Sequence, residues 1–94
     1  MSQKYIKVKR FNGIENVVIL FSSIIDHKKF TQSLGLSKED IKSSGFADIT
    51  ISDMRNPIYK CRGESLSLGL KSDPIEDSKE LNYQLYESYD TESY

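Results

Sequence analysis

Residues 5–11 alternate, with Tyr5, Lys7, Lys9 and Phe11 on one side and Ile6, Val8 and Arg10 on the other, which is the period of a half-buried strand. Asn12-Gly13 follows, a strong short-range hairpin signal. Residues 16–21 read N-V-V-I-L-F, apolar on both faces and β-branched, so the pattern predicts a central strand covered on each side. Ser22 or Ser23 is placed to cap a helix, with Asp26 three residues after Ser23 in a capping-box position and Phe30 and Leu34 one turn apart on its buried stripe. Gly35 ends that helix. Ser37-Lys38-Glu39-Asp40 opens one further short turn, and Ser43-Ser44-Gly45 breaks the pattern.

Alternation returns over residues 46–52, with Ala47, Ile49 and Ile51 opposed to Asp48, Thr50 and Ser52, predicting a third strand with one wet face. A turn cluster at 53–57 joins it to a fourth strand at 58–62, and the two form a hairpin. Gly63 interrupts the period and marks a bulge. Beyond it Leu66, Leu68 and Leu70 share a core-facing side and Ser65, Ser67, Gly69 and Lys71 the other, which reads as a fifth strand. Asp73-Pro74-Ile75-Glu76 places an acidic cap, a proline at the first helical position and a carboxylate at the third, so a helix starts at Pro74. Ile75, Leu81, Leu85, Tyr86 and Tyr89 give it a loose apolar stripe that docks on the sheet, and residues 90–94 read as a frayed acidic tail. The predicted fold is α+β: a four- or five-stranded, mainly antiparallel sheet with one inserted helix and one C-terminal helix, in a single small domain over 1–94.

Composition sharpens this picture. One Ala against ten Ile and fourteen Ser argues against an all-helical bundle. Counting A, V, I, L, M, F, W, C and G gives 34 of 94 residues, below an average domain's share, so the core is thin and self-association would thicken it. The formal net charge of −1 conceals a division: residues 1–71 hold twelve Lys/Arg and seven Asp/Glu, or +5, whereas 72–94 hold one Lys and seven acids, or −6. That split favours packing of the tail tyrosines Tyr83, Tyr86, Tyr89 and Tyr94 on the chain's own basic sheet. No apolar run approaches eighteen residues and no charged leader precedes an apolar stretch, so a cytoplasmic protein without a membrane span is expected.

Candidate chemistry is sparse. One cysteine, Cys61, and one histidine, His27, cannot furnish a four-ligand zinc site, and no cofactor or metal is expected. Asp26 and His27 are neighbours on a predicted helix and point about 100° apart, so they cannot orient one another. A Cys61–His27 pair would need the fold to join them. Gly63 and Gly69 lack the spacing of a phosphate-binding loop. The chain therefore reads as a binding protein and not an enzyme. Two surfaces offer themselves. Ser65, Ser67 and Lys71 along one strand face, with Arg62 before them, present hydroxyls and cations that suit a small anionic ligand. The alternative is nucleic-acid binding by Lys4, Lys7, Lys9 and Arg10 on the aromatic-flanked hairpin.

The segment R-G-E-S-L-S-L-G-L-K-S-x-P, Arg62 to Pro74 with Asp73 at the variable position and followed by Asp77, resembles a run in small uncharacterised proteins encoded by phages and prophages. A looser echo is F-S-x-I-x-H-x-x-F, standing here as Phe21-Ser22-Ser23-Ile24 and His27 to Phe30 with one extra residue between. The resemblance spans about half the chain and implies a setting, the host cytoplasm, and not an activity. Asp73 stands where a basic residue is expected before the proline. Together these observations predict a phage-like accessory protein that binds a partner protein or sequesters a small anionic ligand.

Overall fold

Asn12 and Gly13 both adopt positive φ, 52° and 82°, the backbone of the two-residue turn whose twist matches its flanking strands. It joins β1 (Ser2–Phe11) to β2 (Ile14–Phe21) in antiparallel register, Phe11 opposite Ile14 and Lys4 opposite Phe21. In the computed structural model, which describes residues 2–51 and 57–92, α1 (His27–Ser33) and a 3-10 turn (Lys38–Asp40) follow, then β3 (Ile41–Ile51) and β4 (Pro57–Arg62). A small hairpin of β5 (Glu64–Ser65) and β6 (Leu70–Lys71) precedes α2 (Pro74–Glu92). The main sheet has the order β2-β1-β3-β4, antiparallel throughout, and curls. The fold is α+β, with one helix between β2 and β3 and one at the C-terminal end.

Each face of the sheet carries its own core. Tyr5, Val18, Ala47 and Cys61 close around Leu81 of α2. On the opposite face Ile6, Val8, Phe21 and Ile41 meet Leu68, with Phe30, Leu34 and Leu36 packed against them. This arrangement explains why β2 is not the central strand that its two-sided apolar pattern predicts. Both faces of β2 are covered, one by α2 and the other by α1, yet it pairs only with β1 and lies at the sheet edge. The central position belongs to β1, which buries four consecutive residues, Tyr5 to Val8.

The helix starts also depart from expectation in one case. α1 begins at His27 with Asp26 at the N-cap position, so neither Ser22 nor Ser23 caps it. The short turn expected at Ser37 is present, with the Asp40 carboxylate accepting from the Ser37 backbone N–H at 2.8 Å. α2 starts at Pro74 as predicted, and its backbone is helical through Glu92. Ser52 of the predicted third strand, the predicted 53–57 turn up to Asn56, and residues 93 and 94 lie outside the described residues, as do the side chains of Tyr86 and Tyr89.

Two stretches read differently from the predicted strands. Ser43-Ser44-Gly45 is not a break but part of β3, which starts at Ile41. Small residues are needed there because the chain leaving β4 crosses β3 at this point: a Cβ on Gly45 would stand 2.4 Å from the Arg62 carbonyl oxygen and 3.2 Å from Ser72 Cβ. Residues 63–71 are not one strand. Ser65 and Leu70 pair across a tight turn, in which Ser65 Oγ accepts from Leu68 N at 3.1 Å and the Ser65 carbonyl accepts from Gly69 N at 2.8 Å. The turn reverses the side-chain alternation, burying Leu68 and leaving Leu66 87% exposed.

Helix α2 closes the sheet by imitating a strand. Gln84 makes two bonds to the backbone of Val18 on the β2 edge, accepting from N at 3.0 Å and donating to O at 2.9 Å. Asn82 does the same to Tyr59 on the β4 edge, and Ser78 Oγ accepts from Cys61 N at 2.8 Å. One helix therefore satisfies both edges of a curled sheet, groups that otherwise template pairing between molecules. The Asn82→Ala, Gln84→Ala double variant is expected to lose roughly 2 kcal/mol of stability and to self-associate through the freed edges. Analytical ultracentrifugation checks this, and an unchanged sedimentation coefficient at high concentration would show that the amides do not guard the edges.

Candidate functional site

Among the described residues the most connected side chain is the carboxylate of Asp77, fully buried between α2 and the sheet. It accepts from Tyr5 Oη at 2.5 Å, Ser43 Oγ at 2.7 Å, the Asp73 backbone N–H at 3.0 Å and Lys7 Nζ at 3.1 Å, while Tyr5 Oη lies 2.6 Å from Ser72 Oγ. Burial, with this carboxylate close by, raises the Tyr5 phenol above its usual range. Lys7 and Asp77 are both shut away from solvent, so the cluster pins α2 to the sheet and offers a ligand nothing to reach.

That placement changes the two surfaces read from the sequence. Lys7 is inside the protein and paired, so it is absent from any basic hairpin face. Lys9 is exposed, Arg10 pairs with Glu15 at 3.1 Å, and Lys4 Nζ donates to the Ile25 carbonyl at 2.9 Å. The strip of Ser65, Ser67 and Lys71 is likewise not a single surface. Ser65 is buried in the hairpin turn, Lys71 is exposed opposite Glu64, and Ser67 projects from the turn. Arg62 turns toward β3, its Nε 2.5 Å from Asp48 Oδ2 and its guanidinium carbon 5.6 Å from the centre of the Phe46 ring. The Arg62 charge and a Ser2 hydroxyl hold the Asp48 carboxyl below the usual carboxylate range.

Ser67 stands between two clefts. The first, about 320 Å³, lies between α1, the segment before β3 and the hairpin turn, lined by Lys28, Thr31, Gln32, Leu36, Ser37, Lys38, Ser67 and Leu68. Ser67 fastens its walls together, its Oγ accepting from Lys28 N at 3.2 Å. Two lysines and no carboxylate line this cleft, and among the described residues neither ammonium is in an ion pair. Of the acids close to these lysines in sequence, Asp26, Glu39 and Asp40, none lines the cleft, and Asp40 is engaged with Ser37 N and Oγ. Lys38 Nζ hangs over Gly69, where a Cβ would come within 3.5 Å of it. Gly69 has φ of 69°, so a side chain there would be strained as well as in the way.

The second cleft, about 470 Å³ and more open, is lined by Lys4, Asp26, His27, Phe46, Arg62, Gly63, Glu64, Leu66 and Ser67. His27 is 3% exposed and packs edge-on against Phe21 and Phe46. Its Nε2 is 2.9 Å from the Gly45 carbonyl oxygen, an acceptor only, so Nε2 carries the proton. Burial lowers the ring below its ordinary value and keeps it neutral. A hydrogen bond from Ser67 holds the Asp26 carboxyl below its usual range. Cys61 takes no part: it lies on the other face of the sheet, where burial pushes its thiol up to about 11, and the fold does not bring it to His27.

Of the four ligand residues expected from the sequence, Ser67 and Arg62 reach the second cleft and Ser67 alone the first. Lys28 and Lys38, the cations of the first cleft, are ten positions apart and are brought together by the turn at Leu34-Gly35, which Gly35 marks in the sequence without showing which residues it joins. Residues quoted for the phage-like resemblance hold structural posts: Phe21 stacks on Phe30 at 4.0 Å, His27 ties to Gly45, and Ser72 and Asp77 share the buried cluster. No four-ligand or three-ligand group of His, Cys, Asp and Glu suited to a metal occurs among the described residues, and none of their helices is long and apolar enough to cross a membrane. Compared with protein-family models, curated proteins and solved structures, the chain matches none.

Proposed function

We propose that this protein is a non-catalytic binding module that holds a small anionic ligand in the two-lysine cleft. The observation that carries the reading is the pairing of Lys28 and Lys38 on one concave surface with no lining carboxylate to neutralise them. Gln32 and Ser37 line the same surface and add polar groups of modest reach. A phosphate or carboxylate entering the cleft gains two charge-assisted contacts that water previously satisfied, a setting in which such bonds exceed neutral ones. The phage-like setting and host-cytoplasm location implied by the resemblance belong to the same proposal. The nucleic-acid alternative is less well supported, because Lys7 is committed to Asp77 and Arg10 to Glu15, so that of the hairpin's cations Lys4 and Lys9 are the ones without an ion pair among the described residues.

The test is a thermal-shift and calorimetric comparison of wild type with Lys28→Ala and Lys38→Ala, using inorganic phosphate, a hexose phosphate and a nucleoside monophosphate as probes. Each substitution is expected to weaken a bound probe by about 1.5–3 kcal/mol, a tenfold loss or more, with the fold unchanged by circular dichroism. Lys71→Ala should leave binding as it was. If no probe shifts the wild type, or if bound probes survive both lysine substitutions, the cleft is ordinary solvated surface.

A further inference from the structure

We infer that the second cleft is a separate site for a zwitterionic α-amino acid with an aliphatic side chain. Its polar groups come in both signs. Lys4 spends one N–H on the Ile25 carbonyl and enters no ion pair among the described residues; Arg62 is paired with Asp48 through Nε and Nη2, and its Nη1 has no partner among those residues. Against these donors stand two acceptors. Asp26 is an ionised carboxylate, and Nδ1 of His27 carries a lone pair, because the Gly45 carbonyl fixes the proton on Nε2. Nδ1 has no hydrogen-bond partner among the described residues, although His27 is 3% exposed and lines the cleft. A buried acceptor left without a donor is costly, and a ligand N–H relieves that cost.

A simple anion would meet Asp26 and Glu64 as well as Lys4 and Arg62, so the charge balance disfavours it here. A ligand carrying a carboxylate and an ammonium side by side satisfies both sets at once: carboxylate toward Lys4 and Arg62, ammonium N–H toward Asp26 and His27. The remaining lining is apolar. Phe46 offers its ring beside Gly63, whose missing side chain keeps that ring open, since a Cβ would stand 3.2 Å from it. Leu66, 87% exposed, overhangs the rim from the hairpin turn, giving an aliphatic side chain something to cover. The inference stands on residues distinct from the two lysines of the first cleft, Ser67 being the shared wall.

The experiment titrates the full chain, with 15N-labelled histidine, against L-leucine and three analogues that each lack one feature. 4-Methylpentanoate has no ammonium, leucinamide has no carboxylate, and N,N,N-trimethyl-leucine keeps both charges but has no N–H. Leucine is expected to move the His27 Nδ1 resonance toward its hydrogen-bonded position, and each analogue to bind about tenfold more weakly or worse. Asp26→Asn and Lys4→Gln should each weaken leucine similarly, whereas Lys28→Ala should not, which keeps this result apart from that of the anion cleft. Failure of leucine to bind at millimolar concentration overturns the inference. So does an analogue that binds as well as leucine, or binding that leaves the Nδ1 resonance where it was.

Discussion

Replacing Asp77 with alanine is expected to lower the free energy of unfolding by about 3–5 kcal/mol, because it strands a buried ammonium. Against a total of about 5–14 kcal/mol for a domain of this length, that is a large share. The loss does not stop at Lys7. Tyr5, Ser43 and the Asp73 N–H all donate to the same carboxylate, so three further donors lose this acceptor, Tyr5 keeping only Ser72. Lys7→Met should cost less, since Asp77 would keep its three neutral donors. The Lys7→Met, Asp77→Leu double variant distinguishes charge from network. A buried ion pair can often be exchanged for apolar residues with little change, but here the double variant is expected to remain well below wild type because Ser43 loses this acceptor and Tyr5 keeps only Ser72. Urea denaturation followed by circular dichroism measures all three, with Asp77→Asn as an intermediate that retains one acceptor oxygen. A double variant as stable as wild type would show that only the charge pair matters.

This cluster also marks where reading the chain by pattern stopped. Alternation places Lys7 beside Tyr5 correctly, and it is silent on which of the two faces is buried. A lysine at such a position ordinarily reaches water, and the compensating carboxylate lies 70 residues later in a helix whose first turn already has reason to be acidic. Asp77 was thus accounted for twice over, once by the dipole and once by the fold, with nothing local to tell the two apart. The turn at Asn12-Gly13, the alternating 46–51 stretch and the Asp73-Pro74 helix start were legible because each is decided by a few adjacent residues. The order of strands was not, since β2 looks central for the same reason that it is well covered at an edge.

The candidate site followed the same rule. Ser67 was legible as a polar residue on a strand-like run, but its partners were not, because Gly69 and the small turn it permits convert an extended strip into a hairpin whose tip docks on α1. Leu66, Leu68 and Leu70 share a face only while the backbone stays extended. Once Ser65 Oγ caps Leu68 N, the period of two is lost and Leu66 swings outward. The first cleft is therefore a product of loop geometry: the Leu34-Gly35 reversal supplies one lysine, the start of α1 the other, and the hairpin turn the wall between the two clefts.

Leu81→Ala is the second substitution expected to be severe, at about 2–5 kcal/mol. Leu81 is 1% exposed and, among the described residues, is the one from α2 that enters the core cluster of Tyr5, Val18, Ala47 and Cys61. The space it leaves cannot readily collapse, since Asn82 and Gln84 fix the helix to both sheet edges and Asp77 fixes it one turn earlier. The pattern of the sequence placed Ile75 and Leu85 on the sheet beside it, but Ile75 is 74% and Leu85 38% exposed. Polar residues took their place: Ser78, Asn82 and Gln84 face the sheet because its edges need hydrogen bonds there, which an apolar stripe cannot provide. Ile75→Ala should accordingly fall within about 0.5 kcal/mol of wild type, and Leu85→Ala near 1 kcal/mol. Cys61 gives an independent readout. Its buried thiol is expected to react slowly in the intact protein, and the cavity beside it in Leu81→Ala should speed modification by a small thiol reagent under native conditions, whereas Ile75→Ala should not. Equal losses for Leu81 and Ile75, with unchanged thiol reactivity, would put the opposite face of α2 on the sheet.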